Sequence, residues 1–398
     1  MSTWAELDLG DVCRIFDGPH ATPTKTAVGP WFLSISSLVG GRLALEESAH
    51  LSEADYERWS RRVTPEAGDV LFSYETRLGD AALMPPDVKA CLGRRMGLLR
   101  PDRALVSPEF LLYAYMGPEF QRVIAERAVH GATVDRIPLV DLPKWPIRIP
   151  PLGDQQAIVE VLGALDDKVA LNEGIRNTCL SLAGACYEDA EKGSAAEVLG
   201  DLAALFDGPH ATPQKTPIGP WFLSISSLKK GYLDLAESAH LSESDFPRWT
   251  RRVQPQGGDV LFSYETRLGD AALMPQEVRG SLGRRMALLR SKTASVSGTL
   301  LLHAYLAPSF QEEIKRRTIH GATVDRLPLK EMPGWRIFLP AVGERERLSA
   351  ELDALHATVM QTANENRTLA DLRDTLLPQL VTGKLRVKDA VRAVEEAV

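Results

Sequence analysis

The spacing of apolar residues along this chain changes character at residue 150. Before it, short apolar runs bounded by Gly and Pro predict strands, among them Trp31-Phe32-Leu33-Ser34-Ile35 and Asp69-Val70-Leu71-Phe72. Ser107 to Arg127 has helical spacing, with Phe110, Leu111, Ala114, Tyr115, Phe120, Val123 and Ile124 on one side. Trp145 to Pro150 reads as a last extended segment, and Pro150-Pro151 marks a boundary. Beyond it, Asp154 reads as an N-cap. Ile158, Leu162, Leu165, Val169, Asn172, Arg176, Cys179, Ala183 and Cys186 then follow a 4-3 spacing. That is a coiled-coil seam with a polar stretch in its middle, on a helix about 55 Å long.

The whole pattern then repeats. Phe16 to Pro23 returns as Phe206 to Pro213, and His20 as His210, an offset of 190. Gly68–Pro85 returns unchanged as Gly258–Pro275, and His130–Arg136 as His320–Arg326, with no insertion or deletion between them. The second seam is Leu348, Leu352, Leu355, Val359, Thr362, Asn366, Leu369, Arg373 and Leu376. A period this long means two copies of a domain plus a connector. The expected fold is α+β: two similar mixed α/β domains separated by two long antiparallel helices in a coiled coil, related by a pseudo-two-fold. The predicted bounds are 1–150 and 194–340 for the domains, 151–193 and 341–385 for the helices, and 386–398 for a C-terminal tail.

Composition changes little of this. The chain has 398 residues, 44% hydrophobic and 25% charged, the proportions of a globular protein. No basic, apolar start suggests a signal peptide, and no apolar run reaches the length of a membrane span, so a cytoplasmic location is expected. Cys13, Cys91, Cys179 and Cys186 have no cysteine counterpart in the other copy and form no CxxC pair. They read as plain thiols in a reducing compartment rather than a metal or disulfide framework. The net charge of −7 argues against a generic basic nucleic-acid binder. It runs −3 over 1–150, −6 over 151–200, +4 over 201–340 and −2 over 341–398, so any such binding must use local basic clusters.

In order and in duplicate, several strings resemble the specificity (S) subunits of type I restriction-modification systems. They are Asp17-Gly18-Pro19-His20-Ala21-Thr22-Pro23 with Gly29-Pro30-Trp31-Phe32-Leu33, Gly68-Asp69-Val70-Leu71-Phe72-Ser73, His130-Gly131-Ala132-Thr133, Pro151 to Gln156 opening the first helix, and Leu376 to Leu385 near the end. The resemblance covers nearly the whole chain. It implies that each mixed domain is a target recognition domain reading one half of a bipartite double-stranded DNA target. It implies that the helices set the gap and dock two methyltransferase (M) subunits, with restriction (R) subunits joining a larger complex. No cofactor is implied in this chain; S-adenosylmethionine would belong to the M subunits. Family members usually carry two unlike recognition domains, whereas these two are nearly alike.

Candidate DNA contacts follow from chemistry. Base reading needs paired donors and acceptors on loops, and positioning needs Lys, Arg and small polar groups. Tyr74, Glu75, Thr76 and Arg77 follow a strand and return as Tyr264, Glu265, Thr266 and Arg267; the alternative is a loop in which Glu75 and Arg77 merely pair. His20 with Lys25, and His210 with Lys215, sit in Gly/Pro loops where the histidine could equally cap the backbone. Arg58, Arg61 and Arg62 beside Trp59, and Arg248, Arg251 and Arg252 beside Trp249, suit phosphate or a plain solvated face. Arg94 and Arg95, with Arg284 and Arg285, stand at a strand start. His130, Thr133 and Arg136, with His320, Thr323 and Arg326, follow a helix and form either a DNA-facing loop or a helix stop at glycine. Because these candidates are the same in both copies, a gapped palindrome is the expected target. Differences fall instead at Val39-Gly40-Gly41-Arg42 against Lys229-Lys230-Gly231-Tyr232, at Thr24 against Gln214, and at Ala125-Glu126-Arg127 against Lys315-Arg316-Arg317.

The sequence argues against an enzyme. The Pro-Pro strings at Met84–Asp87 and Ile149–Leu152 lack the polar head and aromatic of an amino-methyltransferase loop. Gly383-Lys384 lacks the rest of a phosphate loop. No metal site is expected, since no second ligand stands at metal spacing. Two other classes remain: a pseudo-dimeric scaffold gripping a symmetric protein, and a hydrolase built on His20, His130 and Asp135.

Overall fold

The computed structural model describes residues 4–20, 22–131, 134–321 and 323–397. The chain divides into two compact units, one of residues 1–167 with 369–398, the other of 168–368. The division falls inside the helices rather than at residues 150, 193 and 340. Each unit therefore holds one mixed domain together with the helical segments that pack on it.

In the first unit a four-stranded antiparallel sheet runs in the order Cys13–Asp17, Met96–Pro101, Val70–Ser73, Ala81–Leu83. Val70 to Ser73 is buried at every position. Alternate side chains of that run point to opposite faces, so a strand covered on both sides reads as an unbroken apolar string. In the second unit Val260 and Phe262 join the core beneath the helices, while Leu261 lies in a separate cluster with Met286 and Leu288. A second, smaller sheet pairs Thr26–Phe32 with Ala49–His50 and Ala90–Cys91. The strand expected at Trp31–Ile35 thus lies earlier, and Ile35–Ser37 is a turn of 3₁₀ helix capped by serines.

The helix predicted over Ser107–Arg127 is two helices, Pro108–Met116 and Pro118–Arg127. Gly117 is extended (φ −68°, ψ 154°) because the residue before a proline is driven out of the helical region. Ser107 caps the first helix, its hydroxyl accepting from Phe110 N–H at 3.1 Å. The same break recurs at Ala307-Pro308.

The long helices span Leu152–Glu191 and Val342–Leu380. At 40 residues the first is about 60 Å long. It begins two residues before Asp154, which lies in the first turn, where its charge suits the helix dipole, rather than at the cap. The seam is buried at Ile158, Leu162, Leu165, Asn172, Arg176 and Ala183, but at the far end Tyr187 is buried in place of Cys186. A straight helix drifts from a strict 3.5-residue repeat, and here the drift turns Tyr187 into the domain core. The expected tail at 386–398 holds a helix, Val387–Ala397.

Within the second unit the helices pair antiparallel. Asn366 donates to the carbonyl of Val169 (3.1 Å), while Ala183 and Tyr187 share a core with Leu348 and Leu352. The polar stretch of the seam is a closed network here. Asn172, 1% exposed, donates to Glu365 and Asn366 (2.9 Å each), and Lys168 pairs with Glu365 (3.1 Å).

The polar contacts that seat each domain on its helices use different residues in the two units. In the first, Tyr113 Oη donates to Asp166 (2.7 Å), Arg373 pairs with Asp166 (3.1 Å), and Arg42 pairs with Asp167 (3.3 Å). In the second, His303 and His356 meet through Nε2 atoms at 2.9 Å, the Thr299 hydroxyl bonds Asp353, and Arg176 lies 4.5 Å over the Tyr232 ring. Arg42 and Tyr232, two of the positions that differ between the copies, are therefore seat residues.

Candidate nucleic-acid interface

One end of each main sheet gathers most of the candidate residues. Strand Cys13–Asp17 ends there, strand Val70–Ser73 ends there, and strand Met96–Pro101 begins there. The Gly18 loop is held by its N–H to Met96 O (3.0 Å). A Cβ on Gly18 would stand 2.5 Å from that carbonyl and 3.0 Å from Leu92 Cβ, so the approach needs glycine. Gly18→Ala is expected to cost about 1–3 kcal/mol, the range of an overpacked contact, and to lower the thermal midpoint accordingly. A calorimetric scan that matches the parent would refute this.

Asp17 organises the first cluster. It pairs with His20 (2.8 Å) and with Arg62 (3.1 Å), and Arg62 also donates to Gly18 O (3.1 Å). Buried Tyr74 lies beside it; burial first, and the Asp17 charge second, push its phenol well above the usual range. The second copy repeats this with Asp207, His210 (3.0 Å), Arg252 (3.2 Å) and Tyr264. There the His210 loop and the Arg248–Arg252 turn enclose a recess of about 450 Å³ lined by His210, Arg248, Trp249, Arg251 and Arg252. Arg248 and Arg251 are exposed and make no ion pair among the described residues; nor do Arg58 and Arg61, apart from Arg58 lying 5.4 Å over Trp59. Lys25 and Lys215 are exposed on the stretch leading into the small sheet and join neither cluster.

The second cluster ties three loops. Glu75 pairs with Arg95 (2.7 Å), and Tyr74 N–H donates to Arg95 O (3.2 Å). Arg136 bridges to both Glu75 and Val129, and Ile137 N–H donates to Tyr74 O (2.9 Å). Exposed His130 pairs with Asp135 (3.1 Å). Thr133 lies outside the described residues; its counterpart Thr323 is exposed. Glu75 and Arg77 do not pair with each other. Arg77 is fastened to Asp80 (2.5 Å) and to Leu38 O (3.3 Å). Sequence reasoning passed over Asp17, Asp80 and their repeats as organisers. The only available signal was a carboxylate repeated three residues from a candidate histidine or arginine.

Every ion pair on this face recurs in the other copy within a few tenths of an ångström: Glu265–Arg285 (2.6 Å), Arg267–Asp270 (2.5 Å), His320–Asp325 (3.2 Å). The face is held constant while the seats are not. Among the described residues no group of three or more His, Cys, Asp or Glu could hold a metal ion, and no helix is long and apolar enough to cross a membrane.

Comparison with known proteins agrees with this architecture. Residues 1–179 match the family described as "Type I restriction modification DNA specificity domain". A "Putative type I restriction enzyme MjaX specificity subunit" from Methanocaldococcus jannaschii is 22% identical across 97% of this chain and 94% of that protein. The "Type I restriction enzyme HindI specificity subunit" of Haemophilus influenzae is 26% identical over 47% of this chain and 40% of its own length. The crystal structure of a type I restriction-modification S subunit from M. genitalium shares the fold, with a TM-score of 0.56 at 15% identity, covering 95% of this chain and 96% of that one. Residues 1–179 thus carry a type I restriction modification DNA specificity domain, and nearly the whole chain is similar to a protein described as a type I restriction enzyme specificity subunit.

Proposed function

We propose that this chain is the non-catalytic DNA reader of a methyltransferase complex, and that its two domains read the same short half-site in inverted orientation. The observation that carries this is the sameness of the two reading faces: the same side chains, in the same ion pairs, on loops of the same shape. A protein that read two unrelated half-sites would need two different faces. The helices set the gap between half-sites and dock two M subunits, with R subunits joining the larger complex. S-adenosylmethionine is held by the M subunits, which carry the methyl transfer.

With a net charge of −7, the chain alone binds weakly, and the M subunits add phosphate contacts. The test is titration of labelled duplex with the chain alone and with its M subunits, across a salt series. Binding that is sequence-dependent, salt-sensitive and strengthened by the M subunits is expected. A tight complex indifferent to DNA would instead favour a scaffold that grips a symmetric protein.

A further inference from the structure

Four residues other than glycine hold a left-handed backbone at matched positions: Thr76 (φ 71°) with Thr266 (φ 71°), and Arg95 (φ 70°) with Arg285 (φ 67°). A β-branched residue in that region is a genuine outlier, and such strain persists only where the surroundings over-determine it. Glycine or asparagine would relieve it. The seats show that the two copies have had room to diverge, yet both keep threonine.

The surroundings explain how the strain is held. Thr76 lies between two anchored neighbours. Glu75 is fixed by Arg95 across the loops, and by the Ser73 hydroxyl donating to its carbonyl (2.7 Å). Arg77 is fixed by Asp80 and Leu38 O. In the second copy Arg285, the Ser263 hydroxyl (2.5 Å), Asp270 and Leu228 O take the same places. Thr76 itself is exposed, and so is Arg94 on the facing turn, which makes no ion pair among the described residues.

We propose that Thr76 and Arg94, with Thr266 and Arg284, are the base-reading residues, and that Glu75, Arg77 and Arg95 are positioning residues that hold them. The proposal rests on the DNA-reading function above and narrows it. A threonine offers a hydroxyl that donates or accepts and a methyl that meets thymine; an arginine reads guanine with two parallel bonds. Both fit a tip presented to the major groove on a braced loop. Glu75 and Arg77 are instead tied to other parts of the domain, Glu75 to Arg95 and Arg77 to Asp80 and Leu38 O, which suits them to hold the loop.

The test uses the full chain with its M subunits, selecting from a randomised DNA pool, together with thermal melting. Thr76→Gly with Thr266→Gly is expected to relax choice at one base pair of each half-site, roughly 5- to 100-fold. The same change raises the melting temperature by roughly 2–4 °C as the strain is released. Arg94→Ala with Arg284→Ala is expected to relax a different base pair. Glu75→Gln with Glu265→Gln is expected to relax both together while leaving the salt dependence of binding unchanged. An unchanged motif in the Thr76 and Arg94 variants overturns the proposal while leaving the DNA-reading function intact. Failure of the parent complex to enrich any motif overturns the DNA-reading function itself.

Discussion

Replacing Arg58, Arg61, Arg248 and Arg251 together with alanine is expected to weaken DNA binding by the complex 10- to 1,000-fold at 100 mM salt without changing the sequence selected. These four guanidinium groups are exposed beside the His20 and His210 loops and have no acidic partner among the described residues. Each phosphate contact contributes about −0.9 to the slope of log affinity against log salt, so the slope should flatten by up to about 3.6. Arg62 and Arg252 are left in place because they hold Asp17 and Asp207 and the loops those carboxylates organise. The readout is fluorescence anisotropy on target and scrambled duplexes between 50 and 200 mM salt. An unchanged slope would show that these arginines are only a solvated face, the alternative open at the level of sequence.

Acidification should destabilise the second unit more than the first. His303 and His356 are 4% and 2% exposed and face each other at 2.9 Å, one donating and one accepting, so the contact requires at least one neutral ring, and burial disfavours charging either. Burial, aided by the neighbouring imidazole, pushes His303 down to about 3. Burial pushes His356 down to about 4, against the pull of Asp353. In the unfolded chain both return to about 6.5. The unfolded state therefore binds more protons between pH 6.5 and about 4, and stability present above pH 6.5 is lost as pH falls through that window. From pH 7.5 to 5.0 the loss comes to about 2 kcal/mol for each histidine. The first unit holds the equivalent seat with Tyr113, Asp166 and Arg373, and burial and the Asp166 charge keep the Tyr113 phenol protonated throughout. Denaturant unfolding followed across this range, with His303→Gln/His356→Gln as the control, decides the matter. The double variant should lose most of the acid sensitivity. Retaining it in full would place the sensitivity elsewhere.

The architecture was legible in the sequence because it is written in long-range regularities. A repeat of 190 residues fixes two copies of one domain, and the 4-3 spacing from Ile158 to Ala183 fixes a helix with one buried seam. The misreadings were local. Helical spacing across Ser107–Arg127 hides the break because Phe110 and Phe120 lie on one face before and after it; the rule for residues preceding Pro118 was the stronger signal. Asp154 looked like a cap, yet the helix starts at Leu152, immediately after Pro151. The Cys186-to-Tyr187 shift depends on how the helix meets a domain core, which spacing alone does not contain.

At the candidate interface, the sequence points to the loops that the fold brings together but not to which side chains pair within them. Tyr74 to Arg77 contains an aromatic, an acceptor, a hydroxyl and a bidentate donor, and nothing in that string says which are already occupied. Arg95 lies 20 residues from Glu75, and Leu38 lies 39 residues from Arg77. The first contact is set by the sheet register that places strand Met96–Pro101 beside Val70–Ser73, the second by the Leu38–Leu43 hairpin meeting strand Ala81–Leu83. The seats were invisible for the same reason. Arg42 and Tyr232 stand in the sequence only as positions that differ between the copies, until Asp167 and Arg176 of the first long helix are brought against them.

The most direct test of identical reading faces is the target itself. Methylation mapping of DNA from cells with and without this gene would report both half-sites, the gap and the modified base in one measurement. Two matching half-sites in inverted orientation across a fixed gap are the expected result. Two unrelated half-sites would contradict it, since faces built from the same residues in the same ion pairs could not then be what reads the DNA.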